Sequence, residues 1–172
     1  MTKRRIKAVD ALKLAIERER GANRFYHQAA GMAEDPDGKR MFNWLAKEEA
    51  RHLAKLRQQL KSVLDNSRWL EWKRVTVPID KTEFPSTSEA SGTISASAGE
   101  LDALRQAIKS EQEAISFYKE AEDSTPDLRG KTMFGSLARE EEGHLALLEE
   151  ELDWLTKSRK YFTLHRFSLR GH

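Results

Sequence analysis

The chain has 172 residues, of which 34% are charged and 38% hydrophobic, and its 30 basic and 28 acidic side chains leave a net charge of +2. This length suits one domain with a sizeable core, and the near-neutral balance does not favour nucleic-acid binding. The absence of cysteine excludes disulfides, thiolate zinc sites, cysteine nucleophiles and cysteine-ligated iron–sulfur clusters. No apolar run approaches the ~20 residues of a membrane span, and the basic start lacks the apolar segment of a signal peptide. We therefore expect a cytoplasmic protein that binds neither membranes nor nucleic acid.

Two parts of the chain repeat each other. Residues 12–60 align with residues 104–152 at a constant offset of 92, without a gap, and 22 of the 49 pairs are identical. A solenoid needs three or more stacked repeats, whereas this chain has two copies. The repeat therefore predicts two related halves that pack about a pseudo-two-fold axis.

Each copy of the repeat predicts a helical hairpin, because apolar residues recur along it at steps of three and four. In the first copy, Asp35 is the predicted N-cap of the second helix and Pro36 its first helical residue. In the second copy, Thr125 and Pro126 are the corresponding predicted helix start. The predicted helices are 6–33, 36–65, 99–124 and 126–158.

The segment between the hairpins has a different composition, with a run rich in Ser and Thr. A 26-residue helix is about 39 Å long, and a connector of roughly 33 residues spans more than that when extended. The connector can therefore carry the chain from one end of a bundle to the other. The sequence predicts an all-α, antiparallel four-helix bundle with a long crossover connection. The predicted single domain, 1–172, consists of a first hairpin (6–65), a connector (66–98), a second hairpin (99–158) and a C-terminal tail (159–172).

Six polar residues occupy positions in the apolar stripes of the four helices: Glu19, Glu49, His52, Glu111, Glu141 and His144. Buried carboxylates are costly unless they are neutralised, and four of them in one bundle core would repel each other. Cations are the simplest neutralising partner. Two helices that give one Glu each, together with two that give Glu-x-x-His, form the ligand set of a carboxylate-bridged dinuclear metal site.

Two divalent ions would balance the four carboxylates, and mixed carboxylate and imidazole ligands suit Fe or Mn and also accept Zn. Tyr26 and Tyr118 lie seven residues after Glu19 and Glu111, two turns along the same helix faces. These tyrosines are predicted either as core aromatics with satisfied hydroxyls or as donors that orient a ligand carboxylate.

The segments that carry these residues resemble the rubrerythrin branch of the ferritin-like di-iron carboxylate proteins. They are AIERERGANRFY at 15–26, LAKEEARH at 45–52, AIKSEQEAISFY at 107–118 and LAREEEGH at 137–144. The resemblance implies a ferritin-like bundle in which the family's glutamates and histidines map onto the six residues above, around two iron ions.

The sequence departs from this family at two places. It has no cysteines for the rubredoxin-like iron site that rubrerythrins proper carry, so it lacks a built-in electron relay. The family's extra glutamate, one turn after the first ligand of the third helix, would fall on Ala114, and Ala22 stands at the equivalent place in the first copy. The sequence therefore predicts a symmetric site with six ligands.

The resemblance implies a non-haem di-iron oxidoreductase of the ferroxidase or peroxidase type, with a role in oxidative stress. It would reduce dioxygen or hydrogen peroxide and oxidise Fe(II) or an external electron donor. A non-catalytic iron-binding or iron-handling protein would use the same site and stays open as the alternative. We also expect a homodimer, in which the hairpins either pair within one chain or exchange between two chains. The apolar residues of the basic and aromatic tail at 159–172 would dock on the bundle or on a second subunit while its charges face water, and an anionic partner stays open as the alternative.

Overall fold

A computed structural model describes residues 7–76 and 99–168, with side chains described as far as residue 157. Its helices are α1 (Ala8–Met32), α2 (Pro36–Asn66), α3 (Glu100–Ser124) and α4 (Leu128–Ser168), with a short 3-10 turn at Trp72–Arg74. The predicted all-α four-helix bundle is confirmed. Within the described ranges, no helix combines the length and the apolar composition that crossing a membrane requires.

Aspartate side chains cap the second helix of each hairpin. Asp35 accepts hydrogen bonds from the backbone N–H groups of residues 37 and 38, both at 2.9 Å, as predicted. In the second hairpin the predicted start is wrong by two residues, because Asp127 makes the equivalent bonds at 2.9 and 3.1 Å. Thr125 instead ends α3, since its hydroxyl donates to the carbonyl of Ala121. The repeat itself pairs Asp127 with Asp35, so the register of the repeat indicates this cap better than the position of Pro126 does.

The last helix is longer than its predicted range of 126–158. It continues to Ser168, and the sequence contains no glycine or proline between Gly143 and Gly171 that would end it. Most of the segment predicted as a tail is therefore helical, and residues 169–172 lie outside the described part of the chain.

Two buried apolar clusters occupy the two ends of the bundle. The first joins the start of α1, the ends of α2 and α3 and the start of α4, through residues such as Leu12, Leu56, Ala121 and Phe134. The second joins the opposite ends, through residues such as Ala29, Phe42, Leu104 and Leu148. Because α2 ends where α3 also ends, these two helices run parallel, and the end of α2 and the start of α3 lie at opposite ends of the bundle. The predicted long crossover is thus confirmed, although residues 77–98 lie outside the described ranges.

The first residues of the connector pack against the bundle. Trp69 is 8% exposed and its ring meets that of Phe134 edge to face, with centroids 6.3 Å apart. A Cβ atom at Gly130 would lie 2.9 Å from the Trp69 ring, so only glycine allows this close approach. The backbone N–H of Leu70 donates to the buried amide oxygen of Gln59 at 3.2 Å. These contacts hold the start of the crossover next to α2 and α4.

Candidate metal centre

The six predicted ligands lie between the two apolar clusters, in the middle of the bundle. Each ligand occupies a core position of its helix. The apolar stripe that packs the two ends of the bundle therefore also directs these polar side chains inward. All six side chains are buried, and the most exposed of them, Glu111, is only 4% exposed. The structure therefore brings together all the residues that the sequence singled out: Glu19, Glu49, His52, Glu111, Glu141 and His144.

These side chains form two overlapping groups that could each hold a metal ion. The first contains Glu19, Glu49, His52 and Glu141, and the second contains Glu49, Glu111, Glu141 and His144. Within each group, one potential ligand atom per residue lies within 4.8 Å of all the others. Two carboxylates, one from α2 and one from α4, belong to both groups and therefore lie between the two positions.

The shared carboxylates face both histidines. Nδ1 of His52 lies 3.4 Å from Oε2 of Glu49 and 3.3 Å from Oε1 of Glu141. Nδ1 of His144 lies 3.1 Å from Oε1 of Glu49 and 2.7 Å from Oε2 of Glu141. The two imidazole rings are 5.8 Å apart and nearly parallel, at 19°. Each shared carboxylate thus presents one oxygen to each half of the centre, which is the arrangement that bridging two ions requires.

Several polar atoms at the centre are buried and have ion-pair contacts with one another but no hydrogen bond of good geometry. They are Oε2 of Glu19, Oε1 of Glu49, both carboxylate oxygens of Glu141, and Nδ1 of His52 and His144. Buried polar atoms without partners are uncommon and call for a ligand. Oxygen and imidazole donors in this combination suit iron or manganese and also accept zinc. The donor set therefore fits two divalent cations.

The charges at the centre shift one another's pKa values. Burial, with the charge of Glu141 beside it, raises the pKa of Glu111 to about 8. Burial, with the charges of Glu141 and Glu19, raises the pKa of Glu49 well above its ordinary value. For His144, burial alone would lower the pKa, but the closeness of Glu141 and Glu49 raises it to about 10. By themselves, these groups therefore balance their negative charge by retaining protons, which bound cations would displace.

Two tyrosine hydroxyls cross between the repeats. Tyr26 on α1 donates a hydrogen bond to Glu111 on α3, and Tyr118 on α3 donates one to Glu19 on α1. Burial, followed by the negative charges of these carboxylates, raises the pKa of both tyrosines well above 10, so that they remain neutral donors. Both expectations for these tyrosines are compatible, since the rings are buried and the hydroxyls hold carboxylates of the other repeat. That these carboxylates are metal ligands stays a prediction.

Two residues that the sequence analysis did not single out support His52 from outside. Oε2 of Glu140 lies 2.7 Å from Nε2 of His52, and the indole N–H of Trp72 donates to Oε1 of Glu140 at 3.1 Å. Burial opposes ionisation of Glu140, but the hydrogen bond and charge of His52 outweigh it and lower the pKa to about 2. The identity of Glu48 and Glu140 in the repeat was an available signal for this residue. Trp72 belongs to the connector, where no repeat exists to mark it.

A cavity of about 210 Å³ between α1 and α3 leads to the carboxylates. Its lining includes Glu19 and Glu111 at the centre, exposed residues such as Glu113, and the small side chains of Ala22 and Ala114. Because both positions one turn after the α1 and α3 carboxylates carry alanine, the cavity stays open beside the centre.

Comparison with known proteins agrees with this fold. A solved structure described as "Hypothetical Protein Pfu-1136390-001 From Pyrococcus furiosus" is 26% identical, with a TM-score of 0.65, over 88% of this chain and 92% of that chain. A search of the curated proteins finds no significant match. The family model for rubrerythrin matches residues 10–152, which include most of both hairpins and the whole candidate centre. The chain therefore belongs to the rubrerythrin family, in the ferritin-like superfamily.

Proposed function

We propose that this protein is a non-haem di-iron oxidoreductase that reduces dioxygen or hydrogen peroxide, with electrons from Fe(II) or an external donor. The observation that carries the proposal is the pair of overlapping ligand groups that share Glu49 and Glu141. A solvated acidic surface would not explain four carboxylates and two imidazoles buried together in a bundle core. Membership of the rubrerythrin family, which typically binds two iron ions, supports the same assignment.

In the proposed centre, one ion would be held by Glu19, Glu49, His52 and Glu141, and the other by Glu49, Glu111, Glu141 and His144. Bound iron would supply the electrons that reduce the oxidant. The protein supplies a fixed geometry, because tyrosine hydroxyls hold the carboxylates of Glu19 and Glu111. Tyr26 and Tyr118 are thus proposed to orient ligands rather than to react.

The test of this proposal is an anaerobic titration with Fe(II), followed by addition of oxygen or peroxide and monitored by absorbance. We expect two ions per chain, fast oxidation and repeated turnover when a reductant is supplied. Glu141→Gln should abolish both binding and oxidation. Glu142→Gln is the matched control, because the neighbouring Glu142 is exposed and paired with Lys119 at 2.6 Å. Binding without turnover would favour the iron-handling alternative, and no binding would overturn both.

The cavity beside Ala22 and Ala114 supports a further part of the proposal. A glutamate one turn after a ligand could swing onto a metal ion, whereas alanine cannot. We therefore expect slower peroxide turnover here than in relatives with a seventh carboxylate. The absence of cysteine also makes turnover dependent on an external reductant.

Installing the missing carboxylate tests the role of this alanine. Ala114→Glu should increase peroxide consumption several-fold under one fixed reductant, and Ala22→Glu is the matched variant in the other repeat. Consumption by the unmodified protein that already equals that of Ala114→Glu would show that the missing carboxylate does not limit the reaction.

We propose a cytoplasmic homodimer as the working form. Exposed apolar side chains on the described surface, including Trp44, Leu64 and Trp154, support association. A dimer that exchanges hairpins would bury the same apolar stripes as the bundle of a single chain. Sedimentation at micromolar concentration tests this, and a single species of 19.8 kDa would reject it.

A further inference from the structure

His52 is held from both sides of its ring. Its Nδ1 faces the shared carboxylates, at 3.4 Å from Glu49 and 3.3 Å from Glu141. On the opposite side, Nε2 is hydrogen-bonded to Oε2 of Glu140 at 2.7 Å. A carboxylate that accepts the outer N–H of an imidazole fixes its tautomer and orientation, and makes the inner nitrogen a better metal ligand.

Glu140 is itself held by residues from two other parts of the chain. The indole N–H of Trp72 donates to Oε1 at 3.1 Å, and the Arg51 guanidinium lies 3.2 Å from Oε2. Trp72 is only 4% exposed, and the ammonium of Lys55 lies 4.8 Å from the centroid of its ring. The buried ring of Trp72 from the connector and the Glu140 carboxylate from α4 therefore close the outer side of His52 together.

In the described ranges, His144 has no equivalent support. Glu48 is the counterpart of Glu140 in the repeat, but it pairs with Arg51 on its own helix. Among the described residues, no hydrogen bond joins Glu48 to His144. Trp44 instead lies edge-on to His144, with centroids 5.6 Å apart, and is 47% exposed.

Sequence differences between the repeats explain this asymmetry. The counterpart of Trp44 is Ser136, whose small side chain lies in the same surface depression as Trp72. A serine at this position leaves room for the connector tryptophan beside His52. The counterpart of Arg51 is Gly143, so the second repeat has no guanidinium at this place.

We propose that Glu140 is a positioning residue that makes the His52 side of the centre the tighter of the two metal positions. The first ion would then be held by Glu19, Glu49, His52 and Glu141. The second would occupy the position completed by Glu111 and His144, with lower affinity. This inference rests on the proposed dinuclear centre and adds an order of filling to it.

The probe is Co(II), titrated into the chelator-treated full chain and followed by visible absorbance and calorimetry. We expect two resolved binding steps. Glu19→Gln should remove the tight step and Glu111→Gln the weak step, which assigns each step to one side of the centre. Glu140→Gln should weaken the tight step by roughly 10–100-fold, the usual cost of losing such a partner. Glutamine has one acceptor oxygen where Glu140 uses two, so either His52 or Trp72 loses its bond.

The matched control is Glu48→Gln, which alters the equivalent position of the other repeat and should leave both steps unchanged. A second variant, Trp72→Phe, keeps Glu140 and removes only the indole donor, and should weaken the same tight step several-fold. This variant decides the matter if Glu140→Gln loses its helical circular dichroism.

Three outcomes would overturn the inference while the proposed function stands. They are a single unresolved step for two ions, equal losses in Glu140→Gln and Glu48→Gln, and an unchanged tight step in Trp72→Phe. If the unmodified chain binds no Co(II), the proposed centre fails as well, so the two failures are distinguishable.

Discussion

The two repeats place the same ligand residues at equivalent positions, but they differ in what surrounds the two histidines. Beside His52, the connector adds Trp72 and a hydrogen bond runs from the ring to Glu140. Beside His144, a half-exposed Trp44 covers the ring from the edge. The tyrosine bonds, in contrast, are reciprocal, since each repeat holds a carboxylate of the other.

This comparison separates two kinds of constraint on the chain. Charge balance limits which residues can face the centre, because every buried carboxylate needs a cation, a proton or a hydrogen-bond donor beside it. Both repeats therefore need them. The residues behind the histidines face the connector or solvent, where a substitution such as Trp44 for Ser136 changes packing without leaving a buried charge unpaired.

The largest expected effect distinguishes shared carboxylates from those of a single position. Glu49→Gln or Glu141→Gln should reduce bound metal to near zero, because each removes a ligand from both groups. Glu19→Gln or Glu111→Gln should leave about one ion per chain. Metal analysis after iron loading measures this, and equal stoichiometry in all four variants would contradict the division into shared and single-position ligands.

Removing the metal should lower the melting temperature of the whole bundle, because the ions bind the native state preferentially. At metal concentrations ~1,000 times Kd, the stabilisation is about 4 kcal/mol, which corresponds to a shift on the order of 10 °C for a chain of this size. Thermal denaturation with and without chelator measures it.

In the chelated protein above pH 8, where Glu111 is ionised, combining Glu19→Gln with Glu111→Gln should raise the melting temperature, since it removes one like charge from each half. A melting curve that chelation leaves unchanged would show that the carboxylates are not clustered.

Removing either tyrosine hydroxyl should have a smaller effect, and the same effect in both repeats. Tyr26→Phe and Tyr118→Phe should each destabilise the protein by about 1.5–3 kcal/mol, because each leaves a buried carboxylate without its donor. Denaturant unfolding of the chelated protein measures both. If the two losses of unfolding free energy differ by more than ~1 kcal/mol, the two tyrosine bonds are not equivalent.

The smallest expected effect is a proton release on metal binding. With a pKa of about 8 for Glu111 and about 10 for His144, both groups carry protons at neutral pH that a bound cation displaces. Metal affinity should therefore fall as the pH is lowered, and addition of Zn(II) to weakly buffered protein should acidify the solution. Glu111→Gln should release fewer protons per ion. An affinity independent of pH between 6 and 8 would contradict these raised pKa values.

Most of the fold and the set of six residues could be predicted from the sequence, because both depend on periodicity. The apolar steps of three and four define helix faces, and polar residues inside such a face are conspicuous. The repeat then doubled each signal: one Glu-x-x-His is common on solvated helices, whereas Glu49–His52 and Glu141–His144 in register are not. The start of α4 was predicted wrongly at Thr125 and Pro126, because proline is common at the first helical position. The repeat pairs Asp127 with Asp35 and indicates the observed cap.

The sequence by itself determined the all-α bundle and the charge that its core must neutralise, since these follow from which side chains share a helix face. Only the tertiary structure decided which residues meet across helices. The bonds from Tyr26 to Glu111 and from Tyr118 to Glu19, and the contact of Trp72 with Glu140, join positions far apart in the chain. Periodicity along one helix carries no information about such pairs, because they depend on how four helices and a crossover pack together.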